Sequence, residues 1–126
     1  MKRSFPLFLS AFVILFTSNC KKGDTGGKAT VTAATAHHGK AINYPTVYVK
    51  FDAKDLPSDP TNNYDLKLEG AHGNHVHIKN LRYGNYYLYA TGFDSSIMLP
   101  VTGGIPLKIK WADRKKEIDV DIPVTE

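Results

Sequence analysis

Residues 105–124 read Ile105-Pro106-Leu107-Lys108-Ile109-Lys110-Trp111-Ala112-Asp113-Arg114-Lys115-Lys116-Glu117-Ile118-Asp119-Val120-Asp121-Ile122-Pro123-Val124. Two runs within this stretch are apolar at every second position: Ile105, Leu107, Ile109 and Trp111, then Ile118, Val120, Ile122 and Val124. A helix repeats its apolar positions every three or four residues, whereas a strand with one buried face repeats them every two. The stretch therefore predicts two strands. Pairing Leu107 with Val120 and Ile109 with Ile118 across residues 112–115 keeps every apolar side chain on one face. The same register sets Lys108 opposite Asp119 and Lys110 opposite Glu117. Cross-strand ion pairs of this kind are worth about 0.2–1 kcal/mol each, so they select register more than they stabilise.

The alternation continues upstream, with Val47, Val49 and Phe51 in one run and Leu66 and Leu68 in another. A second hairpin is expected to pair Leu68 with Val76 and Leu66 with Ile78 around Ala71-His72-Gly73, placing Lys67 opposite His77 and Glu69 opposite His75. Strands are predicted over about 29–36, 46–52, 64–70, 75–81, 85–92, 96–102, 105–111 and 116–124, with Gly103-Gly104 as the turn between the sixth and seventh. Short strands separated by Gly, Pro, Asn and Asp turns predict an all-β fold, a sandwich or barrel of seven to eight antiparallel strands.

The segment Val76-His77-Ile78-Lys79-Asn80-Leu81-Arg82-Tyr83-Gly84-Asn85-Tyr86-Tyr87-Leu88 resembles the hydrophobic-x-hydrophobic, Asn-Leu, Gly-x-Tyr pattern of carboxypeptidase regulatory-like domains, which have a transthyretin-like sandwich fold. Gly39-Lys40-Ala41-Ile42 followed by Val47-Tyr48-Val49 is similar to that family's opening hairpin, and the resemblance spans about residues 29–126. It implies a non-catalytic accessory or binding module. Tyr86, after Leu81-x-x-Gly84-x, is similar to the buried tyrosine at a sandwich corner.

Ahead of the domain, Lys2 and Arg3 precede the apolar run Phe5–Phe16 and then Thr17-Ser18-Asn19-Cys20. A basic start, a short apolar core and small polar residues describe an export signal, and twelve apolar-run residues fall short of the roughly 20 that a membrane span needs. Residues 1–19 are accordingly expected to be a cleaved signal peptide. Cys20, the single cysteine, can form no intrachain disulfide and resembles the acylated cysteine of bacterial lipoproteins. This implies a membrane anchor through an N-terminal lipid. Lys21 stands where some bacteria use Asp for inner-membrane retention, so the resemblance leans toward the outer membrane. A secreted or periplasmic soluble chain is the alternative. Residues 20–28 are expected to be the lipidated cysteine and a flexible tether, leaving 29–126 as the sandwich.

Composition narrows the function. Without Lys2 and Arg3, 14 Lys and Arg face 12 Asp and Glu, a net charge of +2 with no basic block, which argues against a nucleic-acid partner. Ser95-Ser96 lacks the strand–turn–helix setting of a nucleophile elbow, Gly103-Gly104 is followed by no phosphate-loop Lys-Ser/Thr, and the carboxylates are scattered, so no enzyme is expected.

Two candidate sites remain. All five histidines fall in two segments, His37-His38 and His72, His75 and His77. On a strand, His75 and His77 point to one face, and Glu69 in the expected register completes a three-ligand set, with His37, His38 or His72 as a fourth. Imidazole and carboxylate suit a divalent zinc, copper or nickel ion, so a periplasmic metal-binding protein is the alternative function. The bland counterpart is a solvated face of histidines beside Lys79. If successive strands alternate in direction, the loops around His37-His38, His72, Asp94 and Asp113 share one end, and the tether and C-terminus share the other. Tyr48, Tyr87 and Tyr89 form the second candidate, an aromatic face able to stack on a glycan or anchor a protein partner, with cross-strand packing as the structural counterpart.

Overall fold

The computed structural model describes residues 23–126, so the leader, Cys20 and the start of the expected tether lie outside the described residues. Eight strands follow in order: β1 (Thr25–His37), β2 (Lys40–Ala41), β3 (Thr46–Phe51), β4 (Leu66–Glu69), β5 (His75–Leu81), β6 (Gly84–Asp94), β7 (Leu99–Ile109) and β8 (Glu117–Pro123). They form two four-stranded sheets packed as a sandwich. In one, β1 is central, with β5 and the short β2 on one edge and β8 on the other; the second runs β4-β3-β6-β7. Alternation drives the packing. Val31 and Ala33 of β1, Val76 and Ile78 of β5, Val47 and Val49 of β3, Leu88 and Ala90 of β6 and Val101 of β7 are all buried between the sheets. Their intervening neighbours Tyr48, Lys50, Tyr87 and Tyr89 turn outward.

The corner between β5 and β6 is locked by Tyr86, which is fully buried. Its hydroxyl donates to the Arg82 carbonyl at 2.6 Å and accepts from the Asp24 amide at 3.0 Å. Burial pushes this phenol up to about 12.

Three expectations are corrected. Neither expected hairpin forms. β4 pairs with β3, with Val47 beside Leu68, and β5 pairs with β1, with Thr32 beside His77, so residues 70–74 arch from one sheet to the other. Glu69 therefore does not stand opposite His75, nor Lys67 opposite His77. β8 likewise leaves β7 and joins β1 in the sandwich's single parallel pairing among the described residues, with Thr32 beside Asp119 in place of Lys108. Alternation and complementary charge fix which face a strand buries, but they do not choose its neighbour.

The second correction concerns Gly103-Gly104, which is no turn: β7 runs straight through it, merging the expected strands 96–102 and 105–111. A Cβ on Gly104 would lie 2.6 Å from Cε1 of Tyr87, and one on Gly103 would collide with the Pro123 carbonyl. These glycines mark close approaches in a flat strand. The merger reverses everything downstream. The 3-10 turn Trp111–Asp113 falls at the end where β1 starts, and residues 124–126 fall at the end where β1 finishes. Third, β1 begins at Thr25, and the Gly23 amide already donates to the Tyr83 carbonyl at 3.1 Å, so Gly23–Lys28 belong to the domain and not to a tether.

Candidate functional site

Period-two geometry carries two polar residues onto the inner face at one end of the sandwich. In β1 the buried series Ala29, Val31, Ala33 and Thr35 ends on His37; in β6 the inward parity of Tyr86, Leu88 and Ala90 ends on Asp94. The two strands belong to different sheets, and their ends meet. His37 Nδ1 lies 2.9 Å from Asp94 Oδ2, both side chains about 95 % buried. A buried ionisable group persists only where partners replace its lost water. Asp94 has them on both oxygens: Oδ1 accepts from the Ser96 amide at 2.9 Å and from the Ser96 hydroxyl at 2.5 Å. The Ser96 hydroxyl first, and then His37, hold the Asp94 carboxyl far below the usual carboxylate range. In return the hydrogen bond that His37 donates to Asp94, aided by the nearby Glu126 charge and opposed by burial, raises His37 above its ordinary value.

The other ring nitrogen faces two exposed side chains, His38 and Glu126. His38 and Gly39 form a two-residue turn with φ of 48° and 76°, the double positive of a type I′ hairpin. This turn folds the His38 ring back on His37, with centroids 4.2 Å apart. Glu126 arrives from beyond β8. The Val124 amide donates to the Ala36 carbonyl, and Thr125 exchanges two 2.8 Å backbone hydrogen bonds with Thr102, stitching the segment to both sheets. Glu126 Oε2 then lies 2.7 Å from His37 Nε2. Nε2 is buried, and the Glu126 carboxylate is the charged group set against it. Among the described residues, His37, His38 and Glu126 are the one group of three or more potential ligands whose donor atoms all lie within 4.8 Å of one another.

The expected set divides accordingly. His37 and His38 are brought together, whereas His75, His77, His72 and Glu69 merely line a shallow depression of about 280 Å³ with Lys79. The His75 and His77 rings do share a face, 5.0 Å apart, but His77 Nδ1 is engaged by the Thr32 hydroxyl at 3.0 Å. Lys67 lies 3.7 Å from Glu69. Asp94 joins the histidine end as expected, while Asp113 falls at the opposite end. Glu126 was not anticipated at all. The parity signal for His37 and Asp94 was present in the sequence; the signal for Glu126 required the course of β7.

Tyr48, Tyr87 and Tyr89 share one sheet face, with Tyr48 registered on Tyr89 and their ring centroids 6.4 Å apart. They are half-buried, because Pro57, Pro60 and Tyr64 of the β3–β4 loop lie over them and leave no ligand-sized space. Tyr64 packs on Tyr48 at 5.2 Å. The aromatic face is thus largely spent on covering its own sheet.

Beside Asp94 opens a cleft of about 650 Å³, lined by Lys40, Asn43, Tyr44, Thr91, Phe93 and Ser95 among others. Of its lining residues Tyr44 (69 %) and Phe93 are exposed and apolar, and the β6–β7 connection at the same end exposes Ile97, Met98 (70 %) and Leu99. Ser96 hydrogen-bonds to Asp94, and Asp94 separates it from His37, so these three do not form a nucleophile–base–orienter chain. In comparisons with known proteins, the chain matches no protein family and shows no significant similarity to a curated protein.

Proposed function

We propose that the protein is a cell-envelope lipoprotein, at the outer membrane in preference to the inner, whose carboxypeptidase regulatory-like sandwich is a non-catalytic binding module for a protein partner. The observation that carries this reading is the unlikeness of the two ends. The chain enters the domain at the end bearing Lys28, Arg82, Trp111, Arg114 and Lys115, where the Arg114 guanidinium covers the exposed Trp111 ring at 3.9 Å. The opposite end carries the cleft and five exposed apolar side chains, Tyr44, Phe93, Ile97, Met98 and Leu99. Exposed apolar side chains gathered at the same end as a cleft are characteristic of a protein-binding patch, and large ones are suited to anchoring a partner.

With Gly23 already hydrogen-bonded to the domain, a lipid on Cys20 would be separated from it by two residues, Lys21 and Lys22, a reach of about 10 Å. Such an anchor holds the Trp111 end against the bilayer, where tryptophan and basic side chains are favoured, and turns the cleft away from it.

Two measurements test the proposal in cells. Alkynyl-palmitate labelling and fractionation should find the chain acylated and membrane-bound, with both properties lost in Cys20→Ser. An unlabelled, soluble wild-type chain would overturn the anchor. A photo-crosslinking residue at Tyr44 or Met98 should capture one recurrent partner that Lys54 and Lys79 positions do not. Equal capture from all four positions, or none, would overturn the binding end.

A further inference from the structure

We infer that His37, His38 and Glu126 form a binding site for one divalent transition-metal ion, zinc foremost, with Asp94 orienting His37 from behind. Four independent features converge on this. The donor set of two imidazoles and one carboxylate is one that zinc, copper and nickel accept. His37 presents the ligand atom of such a site: its Nδ1 is engaged by the Asp94 carboxylate at 2.9 Å, and its buried Nε2 is aimed at a second carboxylate, Glu126, at 2.7 Å. Metal-ligating histidines commonly have this arrangement, because a carboxylate on the far nitrogen fixes the tautomer and makes the near one a better donor. The third feature is that Asp94 is itself held by Ser96, so the orienting group is fixed in turn. The fourth is that the remaining two ligands are delivered to Nε2 by unrelated pieces of chain, the tight His38-Gly39 turn and the Thr102–Thr125 bridge.

The geometry needs little adjustment. Ligand atoms around zinc at bond lengths of 2.0–2.1 Å are separated by about 3.3 Å in a tetrahedron. The three donors lie within 4.8 Å of one another, and the two that must move, His38 and Glu126, are exposed side chains. Three protein ligands leave a fourth position for water or for a donor from another molecule. This inference goes beyond the binding-module proposal and stands independently of the lipid anchor.

The test uses the full chain in mild detergent, stripped with a chelator and titrated with zinc alone, read by native mass spectrometry and by calorimetry. One zinc per chain is expected. His38→Ala and Glu126→Gln alter exposed side chains and should leave the circular dichroism spectrum unchanged while weakening zinc at least tenfold. Asp94→Asn should weaken it by about 10–100-fold, as loss of an orienting partner does. The double variant His75→Ala/His77→Ala should bind as wild type. Imidazole ¹⁵N spectra provide a second readout, with zinc shifting the ring nitrogens of His37 and His38. Heterogeneous adducts without a one-to-one species would overturn the site. So would zinc binding indifferent to His38→Ala and Glu126→Gln, or binding lost in the His75/His77 variant.

Discussion

Asp94 and His37 join the two sheets by a buried 2.9 Å contact between the last residue of β6 and the last residue of β1. Most of the sandwich is held by non-directional apolar contact, but this pair is directional, and both partners are ionisable. It ties the geometry of the histidine end to protonation.

The metal-free protein should therefore show a stability plateau bounded on both sides. The folded-state pKa of Asp94 lies below its ordinary 3.8, so its contribution is complete above about pH 4 and is lost as pH falls through the lower, folded value. The folded-state pKa of His37 lies above 6.5, so its contribution is complete below about pH 6.5 and is lost as pH rises through the higher value. Glu126 and Asp94 face the imidazole, with Lys40 Nζ 4.0 Å from Asp94. Thermal melts in chelator should be highest between about pH 4 and 6.5 and decline at pH 8. In Asp94→Asn the decline between pH 6.5 and 8 should flatten. A wild-type melting temperature that rises from pH 6 to 8 would refute the pair's contribution.

Tyr86→Phe removes a hydroxyl whose partners, the Arg82 carbonyl and the Asp24 amide, lie at the β5–β6 corner. Stranding these groups costs about 1–3 kcal/mol. For a domain of roughly 100 residues, the melting temperature should fall by about 4–8 °C per kcal/mol. Hydrogen exchange should localise the loss to residues 23–25 and 82–84. A spectrum perturbed at the His37 end instead would refute the assignment.

The parallel β1–β8 pairing can be trapped covalently. Thr32 and Asp119 are register partners on the outward face, whereas Lys108 and Asp119 belong to different sheets. In a Cys20→Ser background, Thr32→Cys/Asp119→Cys should oxidise to an intrachain disulfide, and Lys108→Cys/Asp119→Cys should stay reduced in the folded state. The reverse outcome would restore the hairpin that alternation alone suggests.

That contrast marks the limit of the sequence. Alternation identified the strand segments and the inward faces, because burial on one face dictates period two wherever a strand lies. The likeness to a sandwich-corner tyrosine located Tyr86, and alternation of strand direction brought His37, His72 and Asp94 to one end. Period two could not select neighbours. Lys108, Lys110, Glu117 and Asp119 carry complementary charges, yet exposed pairs of that strength are too weak to hold a hairpin against burial of Ile118 and Val120 beside β1. Gly103-Gly104 was the decisive misdirection. Diglycine ordinarily signals a turn, and only the crowding by Pro123 and Tyr87 explains its place inside a strand. One missed continuation moved residues 124–126 to the wrong end and hid Glu126 from His37.

The same glycine supplies the sharpest test of how the site is assembled. A Cβ at Gly103 would collide with the Pro123 carbonyl and lie 2.9 Å from Val124 Cα, both of them backbone and unable to swing aside. Gly103→Ala must therefore push the terminal segment off β7, breaking the Thr102–Thr125 bridge that aims Glu126. Overpacking of this kind costs about 1–3 kcal/mol, so the melting temperature should drop. The informative readout is local. Glu126 helps to raise the His37 pKa, so its withdrawal should lower the imidazole titration midpoint while the Asp94 contact survives. Zinc affinity should fall alongside, as in Glu126→Gln. An alanine variant that melts early but keeps the wild-type His37 midpoint would show that Glu126 reaches His37 without the β7 bridge.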